Sequence, residues 1–143
     1  DFIRFELHCG THPDEIFVDF FNLDFGPNGP TPTAALVRSG VDALFPFEAF
    51  VAELNNEHTM RAHARQNAIP GFARPAIIRW IHYLDSTLVA SIGGVLRCMS
   101  APVAAVHEIQ DGILIQLTID PFDPENHEHL AIQQNAMRHF GLT

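Results

Sequence analysis

Residues 103–120 carry the feature that most restricts how this chain can fold. Two runs rich in β-branched and aliphatic residues, Val103–Ile109 and Ile113–Asp120, flank the dipeptide Asp111-Gly112. Asp-Gly between apolar runs is the strongest short-range hairpin signal, because both central residues of the tight turn need a positive φ. Alternation along the second run points Ile113, Ile115, Leu117 and Ile119 to a core. Gln116, Thr118 and Asp120 then face solvent or a cavity.

A second alternating segment opens the chain. Ile3, Phe5, Leu7 and Cys9 interleave with Arg4, Glu6 and His8, which reads as a half-buried strand over residues 2–9. Gly10 to Asp14 is turn chemistry. Residues 15–25 fit a strand, preferred for their β-branched and aromatic content, or an amphipathic helix. The stretch Gly26–Pro32 is a loop, since its Pro and Gly residues exclude regular structure. Thr33 then suits an N-cap, with Leu36, Val37, Gly40, Val41 and Leu44 at helical spacing. Residues 47–66 read as a helix with Phe47, Phe50, Val51, Leu54 and Met60 inward, ended by Pro70-Gly71. Pro75 opens another helical pattern through Ile77, Ile78, Ile81, Leu84 and Leu88, with a strand over residues 76–84 as the alternative. Asp123 is the expected cap of a last helix, with Pro124 at its first position, Leu130, Met137 and Phe140 inward, and Gly141 past its end.

Strands and helices mixed in this way over 143 residues predict a single α+β domain spanning 1–143, helices packed on a curved antiparallel sheet. The chain is 47% hydrophobic with 12 Phe and only 17% charged residues, which excludes intrinsic disorder. The longest apolar run, Thr87–Met99, is too short for a membrane span and holds two Gly and an Arg. The net charge is −9, and the eight basic residues are scattered arginines without a basic face, so nucleic-acid binding is not expected. Lysine is absent, which removes Schiff-base and P-loop lysine chemistry. No signal-peptide pattern or initiator Met stands at the start; a soluble chain with the cytoplasm slightly favoured, and an N-terminus open to processing, is the expectation.

Among chemistry-bearing residues, nine histidines are the most unusual polar feature. His58 and His63 stand five apart, on different helical faces, and His127-Glu128-His129 sits near a helix start where it would bind a metal only adventitiously, so no metal site and no cofactor are expected. Cys9 and Cys98 read as two buried thiols, and Gly93-Gly94 as close packing or a bend. Carboxylates on apolar elements are more informative: Asp19, Asp24, Asp85 and Asp120. A carboxyl in an apolar cavity has a raised pKa and can serve as general acid or base. Trp80, His82 and Tyr83 are candidate pocket walls or plain core.

Two stretches resemble the nuclear-transport-factor-2-like superfamily, in its limonene-epoxide-hydrolase and polyketide-cyclase branch. They are Glu57–Trp80 (EHTMRAHARQNAIPGFARPAIIRW) and Val106–Asp123 (VHEIQDGILIQLTIDPFD). The first is similar to that family's strand, Pro-Gly turn and helix; the second to its closing hairpin. The resemblance implies a conical barrel around a hydrophobic cavity, with Asp120 matching the carboxylate that works inside it. Those hydrolases add an Arg-x-Asp, whereas here Arg97 is followed by Cys98 and Met99.

The expectation is a metal-free cavity enzyme, an isomerase, dehydratase, cyclase or epoxide hydrolase acting on a hydrophobic small molecule. Asp120 is its acid or base, with His63, Tyr83 and Arg97 orienting or polarising the substrate. The alternative is a non-catalytic binding or oligomerisation domain that uses the Phe-rich N-terminal strands to form a homo-oligomer. A His/carboxylate metal protein is the lesser alternative.

Overall fold

A computed structural model describes residues 2–9, 14–21, 30–44, 46, 48–53, 75 and 77–143. In chain order the elements are β1 (Phe2–Cys9), β2 (Asp14–Phe21), α1 (Pro30–Leu44), β3 (Glu48–Glu53), β4 (Ile81–Leu84), α2 (Ser86–Ser91), α3 (Val95–Met99), β5 (Ala105–Ile109), β6 (Gly112–Gln116) and α4 (His127–His139). Among the described residues six strands form one sheet in the order β2-β1-β3-β4-β6-β5, and every pair is antiparallel. The chain is therefore α+β. The described strands leave the sheet open, with β2 and β5 as its edges, and they do not close the barrel that the resemblance implies. No helix among the described residues is long and apolar enough to cross a membrane.

The centre of the sheet is covered on both faces. All four residues of β4 are buried, as are Gly112 to Ile115 of β6. Strands buried on both faces lose their polar–apolar alternation and read as continuous apolar runs. Such a run cannot be told from a buried helix by periodicity. Residues 81–84 are accordingly a strand, and the helix starts only at Ser86, capped by Asp85, whose carboxylate accepts the Leu88 N–H at 2.9 Å.

The same physics overturns the helix expected from residue 47. Residues 48–53 form β3, pairing with β1 and β4, and Ala49, Phe50 and Val51 are buried in succession. The spacing of Phe47, Phe50, Val51 and Leu54 matches one helical face, but consecutive burial on a paired strand produces it equally well. The remainder of that stretch, the Pro70-Gly71 break, the Gly10–Pro13 turn and most of the Gly26–Pro32 loop lie outside the described residues.

Helix α1 begins at Pro30, so Thr33 is buried within its first turn and is not its cap. Val37 and Val41 are fully buried, while Leu36 and Leu44 are 39% and 44% exposed. Asn126, not Asp123, caps α4, accepting the Glu128 N–H at 2.9 Å; Asp123 accepts the Glu125 N–H in the preceding turn. Gly141, at φ 66°, ends α4 in a Schellman motif, with Leu142 N–H donating to Met137 O and Gly141 N–H to Arg138 O.

The hairpin is formed one residue away from its sequence signal. Ile109 pairs with Gly112, so the turn residues are Gln110 and Asp111, and Gln110 takes the positive φ of 53°. Gly112 serves a different purpose. A Cβ there would lie 2.2 Å from the Leu84 carbonyl oxygen and 2.7 Å from the Tyr83 ring and hydroxyl. Beyond β6, Ile119 is 70% exposed instead of facing the core. Gly112→Ala is expected to lower stability by about 1–3 kcal/mol through this overpacking; an unchanged urea midpoint would show that the β4–β6 contact can spread without cost.

Candidate functional site

The segment leaving β6 builds a concave surface beside Asp120. Leu117 stays on the ladder: its N–H donates to Trp80 O at 2.8 Å, and its carbonyl accepts from Ala104 N–H. Thr118 is buried, and its carbonyl oxygen accepts from Trp80 Nε1 at 3.1 Å and Gln116 Nε2 at 3.0 Å. The Thr118 hydroxyl donates to Asp120 O at 2.8 Å, which turns the chain outward and leaves Ile119 and Asp120 exposed.

Between this segment, residues 102–104 and the start of α4 lies a groove of about 480 Å³. Val103, Ile119 and Ile132 supply the accessible apolar lining above the buried Leu117; Asp120, Glu128 and His129 supply the polar groups. His129 is fixed in place, since its Nδ1 accepts the Asp123 N–H at 3.0 Å and its ring packs on Phe122 with centroids 5.7 Å apart. That bond leaves Nε2 to carry the proton of the neutral ring.

The four residues expected to form one site are not gathered at this groove. Asp120 lines it. Tyr83 is buried on β4, and its hydroxyl donates to Asp111 Oδ1 at 3.2 Å, in the β5–β6 turn. Arg97 on α3 donates through Nε at 2.7 Å, and through Nη2, to the His139 carbonyl oxygen, while His139 Nε2 donates back to Arg97 O at 2.8 Å. This exchange ties α3 to the end of α4. His63 lies outside the described residues. Cys98 is a buried free thiol, and burial pushes its pKa up against the opposing pull of Arg97, which disfavours the nucleophilic thiolate.

A second polar cluster sits on the strands themselves. His82 on β4 is fully buried; its Nδ1 accepts the Arg79 N–H at 3.3 Å and its Nε2 donates to Glu48 Oε1 at 2.7 Å. Arg79 reaches the same oxygen at 3.6 Å and lies 3.6 Å above the Phe50 ring, which meets His82 edge-on. Strand register explains the pairing. Phe50 is opposite His82 and Glu48 opposite Leu84, which makes Glu48 and His82 diagonal neighbours on one face. The sequence reading missed Glu48 because a helix over 47–66 separates it from β4. Both imidazole nitrogens are engaged, so the cluster holds β3, β4 and residue 79 together as a satisfied buried network. Glu48→Ala is expected to cost about 1–3 kcal/mol by stranding the His82 N–H, measurable as a lowered urea midpoint; no loss would remove the cluster from the account of stability.

Among the described residues, no group of three or more His, Cys, Asp or Glu side chains is placed to hold a metal ion. The Gln133 Oε1 is buried without a hydrogen-bond partner, although its Nε2 donates to Ile78 O at 2.9 Å.

Tyr83 is the chain's single tyrosine, which makes it directly observable. Its phenol is pushed well above the usual 10.0, first by burial and then by the Asp111 carboxylate that it bonds. The folded state thus favours the protonated phenol. The stability this confers is complete below pH 10.0 and is lost as pH rises through the raised folded value. Phenolate absorbance is expected to appear only well above pH 10.0, and at lower pH in Asp111→Ala; an ordinary titration in both proteins would contradict the burial.

No protein-family model matches the chain, no curated protein matches it, and no solved structure matches it.

Proposed function

We propose that the chain takes a hydrophobic small molecule into the groove between the β6 exit and α4, and acts on it by metal-free general acid–base chemistry through Asp120. The observation that carries this reading is a groove of about 480 Å³ in which an apolar lining meets Asp120, Glu128 and His129. A ligand pocket is typically a few hundred cubic ångströms, mostly apolar, with a few convergent polar groups. His129, anchored through Nδ1, lines the same groove as Asp120; Tyr83 and Arg97 act in the fold through Asp111 and His139. The proposal keeps the acid–base reading of the resemblance but seats the substrate in an open groove instead of an enclosed cone.

A second reading, assembly with another copy or a partner, is favoured by α3. Leu96 is 87% exposed there, beside Val95 at 43% and Met99 at 49%. This apolar patch is a second surface for that reading beside the Phe-rich strands, and Leu96→Glu is the variant that addresses it, with sedimentation as readout.

The deciding experiment screens lipophilic epoxides, enones and polyketides against the isotope-labelled chain. Amide shifts confined to residues 102–104 and 117–132, together with turnover that falls by about two to four orders of magnitude in Asp120→Asn, are the expected results. Turnover unaffected by that substitution would remove Asp120 as the acid or base. Shifts centred on α3 and a mass that halves in Leu96→Glu would replace the enzyme reading with assembly.

A further inference from the structure

The apolar lining of the groove accounts for a hydrophobic body, and the remaining polar capacity specifies what that body carries. Most hydrogen-bonding groups around the groove are already engaged. The Thr118 carbonyl oxygen accepts two side-chain N–H groups, and the Thr118 hydroxyl donates to Asp120 O. The His129 Nδ1 is taken by the Asp123 N–H. Among the described residues, the Asp120 and Glu128 carboxylates have neither a hydrogen bond nor an ion pair, and no arginine lines the groove. The chain holds no lysine and carries a net charge of −9. Glu128, in the first turn of α4, is stabilised by the helix dipole, but that interaction does not neutralise its charge.

An anion entering this groove meets two carboxylates that have no partner among the described residues, on a chain of net charge −9, whereas a cation is attracted there. Two charges alone on a surface would be a solvated face. Here they share a concave apolar surface, so one molecule can bury hydrocarbon and satisfy the charges together. We infer that the groove's ligand is a small lipophilic ammonium compound, its hydrocarbon part against Val103, Ile119 and Ile132 and its cationic head at Asp120 and Glu128. The inference rests on the groove being the binding site proposed above.

The probes are n-octylammonium, n-octanol and octanoate, which share one hydrocarbon chain and differ in charge. Each is titrated into the isotope-labelled full chain at low ionic strength. Octylammonium is expected to shift amides confined to residues 102–104 and 117–132 and to bind more tightly than octanol, with octanoate weakest. Asp120→Asn and Glu128→Gln are each expected to weaken octylammonium by up to about fivefold, the upper range for an exposed charge pair, and to leave octanol unchanged. Added salt should narrow the gap between octylammonium and octanol. Both substituted residues are exposed, and octanol binding reports that the groove of each variant remains intact.

Equal affinity for octanol and octylammonium overturns the ammonium inference while leaving a hydrophobic groove. No groove shifts with any of the three probes overturns the site itself. Octylammonium shifts spread over the acidic surface overturn the inference as non-specific attraction. Displacement by triarginine at concentrations below those octylammonium needs overturns the small-molecule occupant in favour of a basic peptide.

Discussion

Strand β4 is enclosed between β3 and β6 with both faces covered, and each polar group it brings inside must find a partner there. Burying an amide, hydroxyl or imidazole without a hydrogen bond costs several times what a typical hydrogen bond contributes. The surroundings of β4 follow that requirement. His82 is satisfied from both sides by Arg79 and Glu48, and Tyr83 reaches the β5–β6 turn to find Asp111. Trp80, one residue before the strand, sends its indole N–H to Thr118 O. Gly112 is needed because the Leu84 backbone and the Tyr83 ring leave no room for a side chain. One buried strand therefore determines the partner residues on β3, on the turn and on the segment that follows β6.

The groove inherits its geometry from the same strand. Trp80 holds Thr118, and Thr118 in turn holds the Asp120 carbonyl, so the chain swings out of the sheet where the groove opens. Helix α4 closes the other side, positioned through Gln133 and Met137 against Ile78. The exposed carboxylates are thus presented by a rigid support, and the apolar lining extends from the core instead of being an isolated surface patch. Arg97 and His139 fasten α3 to the end of α4, which keeps the exposed Leu96 on a fixed element as well.

Strand β2 was the preferred of two readings for its β-branched and aromatic residues, while strand β1 was legible from its alternation and the β5–β6 hairpin from its turn chemistry and β-branched content, both local properties. The end of α4 at Gly141 was legible for the same reason. The element type over residues 47–53 and 76–84 was not, because a strand covered on both faces and a buried helical face leave the same apolar spacing. Asp85 read as a carboxylate on an apolar run and proved to be a helix cap. Asp120 read as the end of a strand and instead lies past it on the groove rim, since the ladder stops supporting β6 after Leu117. The pairing of Glu48 with His82 could not have been found without the register of β3 on β4.

Local periodicity, turn residues and composition by themselves determined an α+β chain, rich in apolar residues and net acidic, with a hairpin in its C-terminal half followed by a helix. These features depend on residues close in sequence and on the total balance of apolar and charged groups. Only the tertiary structure decided which apolar runs became strands, which polar groups were consumed by the core and which were left at the groove. Those outcomes depend on the order of strands in the sheet. The β4–β6 pairing joins residues about thirty positions apart, and the burial it produces dictates which donors and acceptors must be satisfied internally.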